Sequence, residues 1–133
     1  MLRVDYSQLP RLEHFVDEFQ AAMEFERMKG KIVASEFFDN IVAHGRRVFP
    51  PFVLVSLIAT PALSIEIRYR SSNFDEFHRA LNKLFSSPGK VLKPRYDEVA
   101  GRYRGIGLGM SVRLASSISI RTGLFYHRVS IVF

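Results

Sequence analysis

The chain has 133 residues, 47% hydrophobic and 24% charged, a composition that suits one globular domain and excludes both disorder and a second domain of usual size. It contains no cysteine, so thiol catalysis, disulfides and thiolate metal sites are ruled out. Nineteen Lys and Arg against thirteen Asp and Glu give a net charge of +6. The excess is uneven: residues 1–45 hold five basic and eight acidic side chains, and residues 46–133 hold fourteen and five. Such a polar chain suggests a basic surface for an anion, whether nucleic acid, nucleotide phosphates or an acidic partner.

In chain order, residues 2–6 alternate apolar and polar as a half-buried strand does. Ser7 is placed to cap a helix in which Leu9, Leu12, Phe15, Val16, Phe19, Ala22, Met23 and Met28 recur at helical spacing. Gly30 is expected to break it. A second amphipathic helix follows, with Ile32, Val33, Phe37, Ile41 and Val42 as its stripe and Gly45 as its C-terminal stop. Residues 52–59 and 63–70 read as an antiparallel hairpin turned at Thr60-Pro61. Phe74, Phe77, Leu81, Leu84 and Phe85 outline a third helix, ended by Ser86-Ser87-Pro88-Gly89.

Residues 88–104 form a polar, basic connection, long enough to suggest a lid. Of the fourteen basic residues in the second part of the chain, five lie between Lys90 and Arg104. Gly105-Ile106-Gly107-Leu108-Gly109 follows, then a helical stretch to Ala115. Strands over 117–121 and 125–133, joined at Thr122-Gly123, close the chain. Helices and hairpins segregated in this way predict an α/β (α+β) two-layer sandwich: a mixed, mostly antiparallel sheet with helices on one face, in a single domain over 1–133. No apolar run reaches bilayer length, and the N-terminus lacks a signal-peptide pattern, so a cytoplasmic protein with no membrane partner is expected.

Two constellations bear on chemistry. Glu36 and Asn40 are four apart, so a helix sets a general base beside a neutral oxygen able to ligate Mg²⁺. The glycines at 105, 107 and 109 precede a helix, where free amides and the helix dipole favour phosphate. It reads as neither a dinucleotide fingerprint nor a P-loop, because a basic loop rather than a strand is expected before it, Met110 breaks the spacing and no Gly-Lys-Ser/Thr ends it. The four histidines, His14, His44, His78 and His127, show no metal-ligand spacing; His44 reads as a favourable charge at a helix end. Arg68, Arg70, Arg113 and Arg121 read as solvated faces.

Taken together, Ala34-Ser35-Glu36-Phe37-Phe38-Asp39-Asn40-Ile41-Val42-Ala43-His44-Gly45, the hairpin, the lid, Arg104-Gly105-Ile106-Gly107-Leu108-Gly109 and the two last strands resemble the GHKL (Bergerat-fold, histidine-kinase-like) ATPase domain. The likeness extends over nearly the whole chain and is nearest to the bacterial anti-sigma-factor serine kinases of partner-switching systems. It implies Glu36 as catalytic base and Asn40 as Mg²⁺ ligand. Arg104, Gly105, Gly107, Leu108 and Gly109 would hold the phosphates of ATP or ADP. The implied partner is a protein, either a sigma factor or an anti-anti-sigma antagonist, and homodimers are common among such proteins.

The sequence departs from that family at two places. The family carries Asp-x-Gly after the second hairpin strand, and its Asp reads the adenine amino group. Aligning Phe74-Asp75 with the family's Phe-Asp puts Tyr69 and Ser71 at the Asp and Gly positions. Tyr126-His127-Arg128 likewise stands where the family favours Gly-Thr. Losing the carboxylate removes a charge-assisted hydrogen bond of about 1.5–3 kcal/mol, about ten- to a hundredfold in affinity. The expectation is therefore a regulatory domain that acts chiefly by binding protein, with impaired or absent ATP use. Two alternatives stand beside it: an active ATP-dependent protein serine kinase with atypical adenine recognition, and a small basic nucleic-acid-binding domain suggested by net charge and by Tyr96 and Tyr103 among the basic residues of the lid.

Overall fold

A computed structural model describes residues 1–43, 47–72, 74, 75, 78, 79, 95–97, 102–104, 111, 113–123 and 125–133. Its elements are strand β1 (Leu2–Arg3), helices α1 (Leu9–Asp17) and α2 (Glu24–Ala43), and strands β2 (Phe52–Ile58), β3 (Ser64–Tyr69), β4 (Arg95–Asp97), β5 (Arg102–Arg104), β6 (Ser117–Thr122) and β7 (His127–Val132). Five strands form one open sheet in the order β1-β2-β3-β7-β6, antiparallel at every described pairing. β4 and β5 pair separately, inside the stretch expected to be a lid. The two-layer α+β sandwich follows from how the strands alternate. Ile65, Ile67 and Tyr69 of β3 and Val129 and Ile131 of β7 are buried, while the residues between them are not. Those inner positions pack with Val33, Ala34, Phe37, Phe38 and Ile41 of α2 and with Leu12 and Val16 of α1.

The helical part differs from the sequence expectation. The spacing of Leu9 through Met28 suggests one helix, yet α1 stops at Asp17 and residues 18–23 turn the chain. Phe15, Met23 and Met28 consequently lie exposed rather than in the core. α2 begins at Glu24, with Glu24 and Glu26 in its first turn, where carboxylates complement the helix dipole. Gly30 does not break α2. It sits in the helix interior, buried, because an added Cβ would come within 3.0 Å of Leu63 Cδ2 and 3.1 Å of Ile65 Cδ1. The close approach of helix and sheet outweighs the roughly 1 kcal/mol propensity cost of glycine. Glu26 Oε2 also accepts from the Leu63 amide at 3.3 Å, fixing α2 over the start of β3.

Ser7 does not cap the first helix either. Asp5 accepts from the Ser7 amide at 2.9 Å and caps a short 3-10 turn, and α1 then opens with Pro10 in its first turn, where no amide is needed. β1 is shorter than the alternating stretch 2–6, because the chain leaves the sheet after Arg3 to enter that turn. The two hairpins fall where expected. β2 pairs β3 through Leu54↔Arg68 to Ile58↔Ser64, and β6 pairs β7 through Ser117↔Val132 to Thr122↔His127. The third helix is described only at Phe74, Asp75, His78 and Arg79, all helical, and the expected stop at Gly45 lies outside the described residues.

Candidate functional site

α2 carries Glu36 and Asn40 one turn apart, both half-buried. Between them Asp39 is only 5% exposed, the one buried charged side chain among the described residues. Ser35, one turn before it, is buried too. Helical spacing puts Ser35 and Asp39 on a common flank, as it does Glu36 and Asn40. The motif string contains Asp39 but gives it no role. Its i,i+4 partner Ser35 was the available signal, although periodicity does not say which flank of a helix becomes covered.

The residues expected to hold phosphate are described only in part. Arg104 ends β5, opposite Arg95, so a short strand paired with β4, and not the expected loop, precedes the glycine run. Gly105, Gly107, Leu108 and Gly109 lie outside the described residues. The chain resumes at Ser111, fully buried, which opens a helical turn closed by the Ala115 amide donating to the Ser111 carbonyl at 3.0 Å.

The end of β3 is described fully. Tyr69 is 4% exposed and shares the inner face of β3 with Ile65 and Ile67. Its ring meets Phe74 edge-on, with centroids 5.8 Å apart, and His127 edge-on at 6.4 Å. Phe74 lies flat on the His127 imidazole, with centroids 3.8 Å apart and planes 4° from parallel. The register Tyr69↔His127 brings the second pair together, and the helical residues after β3 add Phe74. Burial alone pushes the Tyr69 phenol well above its ordinary value of 10.0. Ser71, also buried, bridges to Val48, and its carbonyl lies 3.2 Å from His127 Nε2.

A carbonyl only accepts, so His127 donates from Nε2, and the neutral ring then carries its bare nitrogen at Nδ1. That atom is buried without a hydrogen-bond partner. Burial holds the imidazole below its ordinary value of 6.5, and Arg70 adds to this; the Ser71 carbonyl and Asp75 oppose it without reversing it. The folded state therefore favours the neutral ring. As pH falls below about 6.5 the unfolded chain takes the proton first, so the stabilisation present at neutral pH is lost between that value and the lowered folded one. Urea unfolding at about pH 7.5 and pH 5 should show lower stability at the acid end, and His127→Phe should flatten that difference. An unchanged slope in His127→Phe would remove His127 as its source.

Where the family resemblance asks for a carboxylate and a glycine, a buried tyrosine ring packs on two further rings and a buried serine sits in a β-bridge. Among the described residues, no group of three or more His, Asp or Glu side chains is arranged to hold a metal ion. No described helix is long and apolar enough to cross a membrane.

Apolar side chains are displayed on the outside of the helical layer. Phe25, Met28 and Ile32 recur at three- and four-residue spacing on α2, all exposed, Phe25 at 65%. Met23 precedes them at 72%, and Phe15 is exposed on α1. Lys29 Nζ stands 4.4 Å from the centre of the Phe25 ring. No family model, curated protein or solved structure matches this chain.

Proposed function

We propose that the chain is a regulatory domain of the anti-sigma-factor kinase kind, working in the cytoplasm by binding a protein partner without using ATP. The observation that carries the reading is the Tyr69–Phe74–His127 ring cluster, whose Tyr69 stands at the position where the resemblance expects the adenine-reading Asp. The order of elements supports it: a strand, two helices, a hairpin, and two closing strands after the glycine run. The exposed stripe Phe25, Met28 and Ile32 supports the protein-binding part, since contiguous apolar surface on a domain marks interaction sites. The partner class is a sigma factor or an anti-anti-sigma antagonist.

A second reading, an active serine kinase, draws on Glu36 and Asn40, which remain half-buried and one turn apart on α2. Surface plasmon resonance of the chain against candidate sigma factors and antagonists, with and without Mg-ATP, separates the two. The expected result is a complex of equal affinity in both conditions, unaffected by Asn40→Ala and weakened about tenfold or more by Phe25→Ala with Met28→Ala. Phosphoryl transfer to an antagonist serine that disappears in Glu36→Gln would instead establish the kinase.

A further inference from the structure

The sheet face away from the helices carries a separate arrangement. Register places Arg68 of β3 opposite Arg128 of β7, and Arg128 opposite Arg121 of β6. Residues paired across strands point to the same side, and these three alternate with the inward Ile67, Val129 and Ile120. Neighbouring strands lie about 4.8 Å apart, so the three arginines make one row about 10 Å long. Like charges directly opposite each other are destabilising in a sheet. One carboxylate answers this row: Glu66 Oε1 stands 3.0 Å from Arg68 Nε and 3.6 Å from Arg128 Nε. Even the shorter contact is bent, since the buried Arg68 Nε makes no hydrogen bond. Among the described residues no carboxylate pairs with Arg121. Among the described residues, three guanidinium groups and one carboxylate leave two positive charges in excess.

The β6–β7 turn builds a wall beside the row. The Gly123 amide donates to the Tyr126 carbonyl at 2.9 Å, and a Cβ at Gly123 would fall 2.5 Å from that oxygen, so the turn has no room for a larger residue. This tight closure holds the exposed Phe125 and Tyr126 at the rim. Arg68, Arg121, Arg128, Thr122, Phe125 and Tyr126 line a pocket of about 340 Å³.

We propose that this pocket binds a phosphate monoester. Its dianion matches the excess of two positive charges, and guanidinium forks bind phosphoryl oxygens bidentately. The Phe125 and Tyr126 rings receive the organic part of the ester, which bare phosphate lacks. The site lies on the opposite face of the sheet from α2, so it does not depend on the regulatory reading above. The same phosphoryl chemistry comes from a free small ester or from a phosphorylated side chain of a protein.

NMR titration of the full chain with phenyl phosphate, inorganic phosphate and an otherwise uncharged phosphoserine peptide tests it. Saturable binding of at least one ester is expected, tighter than that of inorganic phosphate and centred on Arg121 and Phe125. Arg121→Gln, at an exposed position, should weaken it about tenfold, and Arg128→Gln provides a second variant with the same expectation. Glu66→Gln should tighten binding severalfold by removing the competing carboxylate, an effect that a purely structural role of the row does not produce. Preference for phenyl phosphate assigns a small-molecule ester, and preference for the peptide assigns a phosphorylated partner. No saturation by either ester below about 10 mM, or equal binding in both arginine variants, overturns the proposal.

Discussion

Tyr69→Ala is expected to lower the unfolding free energy by about 3–5 kcal/mol, the usual cost of removing a buried aromatic ring. The ring is 4% exposed and contacts Phe74 and His127 at once, so its loss leaves a cavity between β3, β7 and the helical residues after β3. Tyr69→Phe is the informative control. The Tyr69 hydroxyl makes no hydrogen bond to a described residue, and burial alone accounts for its raised pKa. Removing a hydroxyl that gains little from its surroundings should change stability by less than about 1 kcal/mol. Chemical denaturation of the two variants reads both values. A loss in Tyr69→Phe as large as in Tyr69→Ala would mean that the hydroxyl, not the ring, holds this end of the sheet.

Phe37→Ala is the second large effect, again about 3–5 kcal/mol, because Phe37 is fully buried in the core between α2 and the sheet. Phe25→Ala, on the same helix, should change stability by no more than about 0.5 kcal/mol, since Phe25 is largely exposed. The pair therefore separates the packing role of α2 from the partner-binding role proposed for its outer stripe. Thermal melts measure the first role and partner affinity the second. Phe25→Ala that melts as low as Phe37→Ala would place Phe25 in the core and remove the stripe from the surface.

The parts of the fold legible in the sequence are those set by local alternation. Ile65, Ile67 and Tyr69 at period two, and Val129 and Ile131 after them, fix the inner face of the sheet, and Thr60-Pro61 and Thr122-Gly123 mark its turns. The helices were less legible. Phe15, Met23 and Met28 fall at helical spacing yet end up in solvent, because the chain turns between Asp17 and Glu24. Gly30 looks like a breaker by propensity, but its role depends on Leu63 and Ile65, which are distant in sequence. Glu36 and Asn40 were visible as an i,i+4 pair. The Tyr69–Phe74–His127 cluster and the Arg68–Arg128–Arg121 row were not, since each is made by strand register, which no single stretch of sequence contains. Tyr69 stands out in the sequence as a departure from Asp-x-Gly, but its edge-on contact with the His127 ring depends on β7 lying beside β3.

The closed end of β3 carries the functional reading, and titration calorimetry of the full chain with Mg-ATP tests it most directly. On the proposed reading the wild-type chain should show no saturable heat up to about 1 mM nucleotide, because the position that the resemblance gives to an adenine-reading carboxylate holds Tyr69, whose ring is buried. Micromolar binding of Mg-ATP that is lost in Asn40→Ala would contradict it and favour the active-kinase reading.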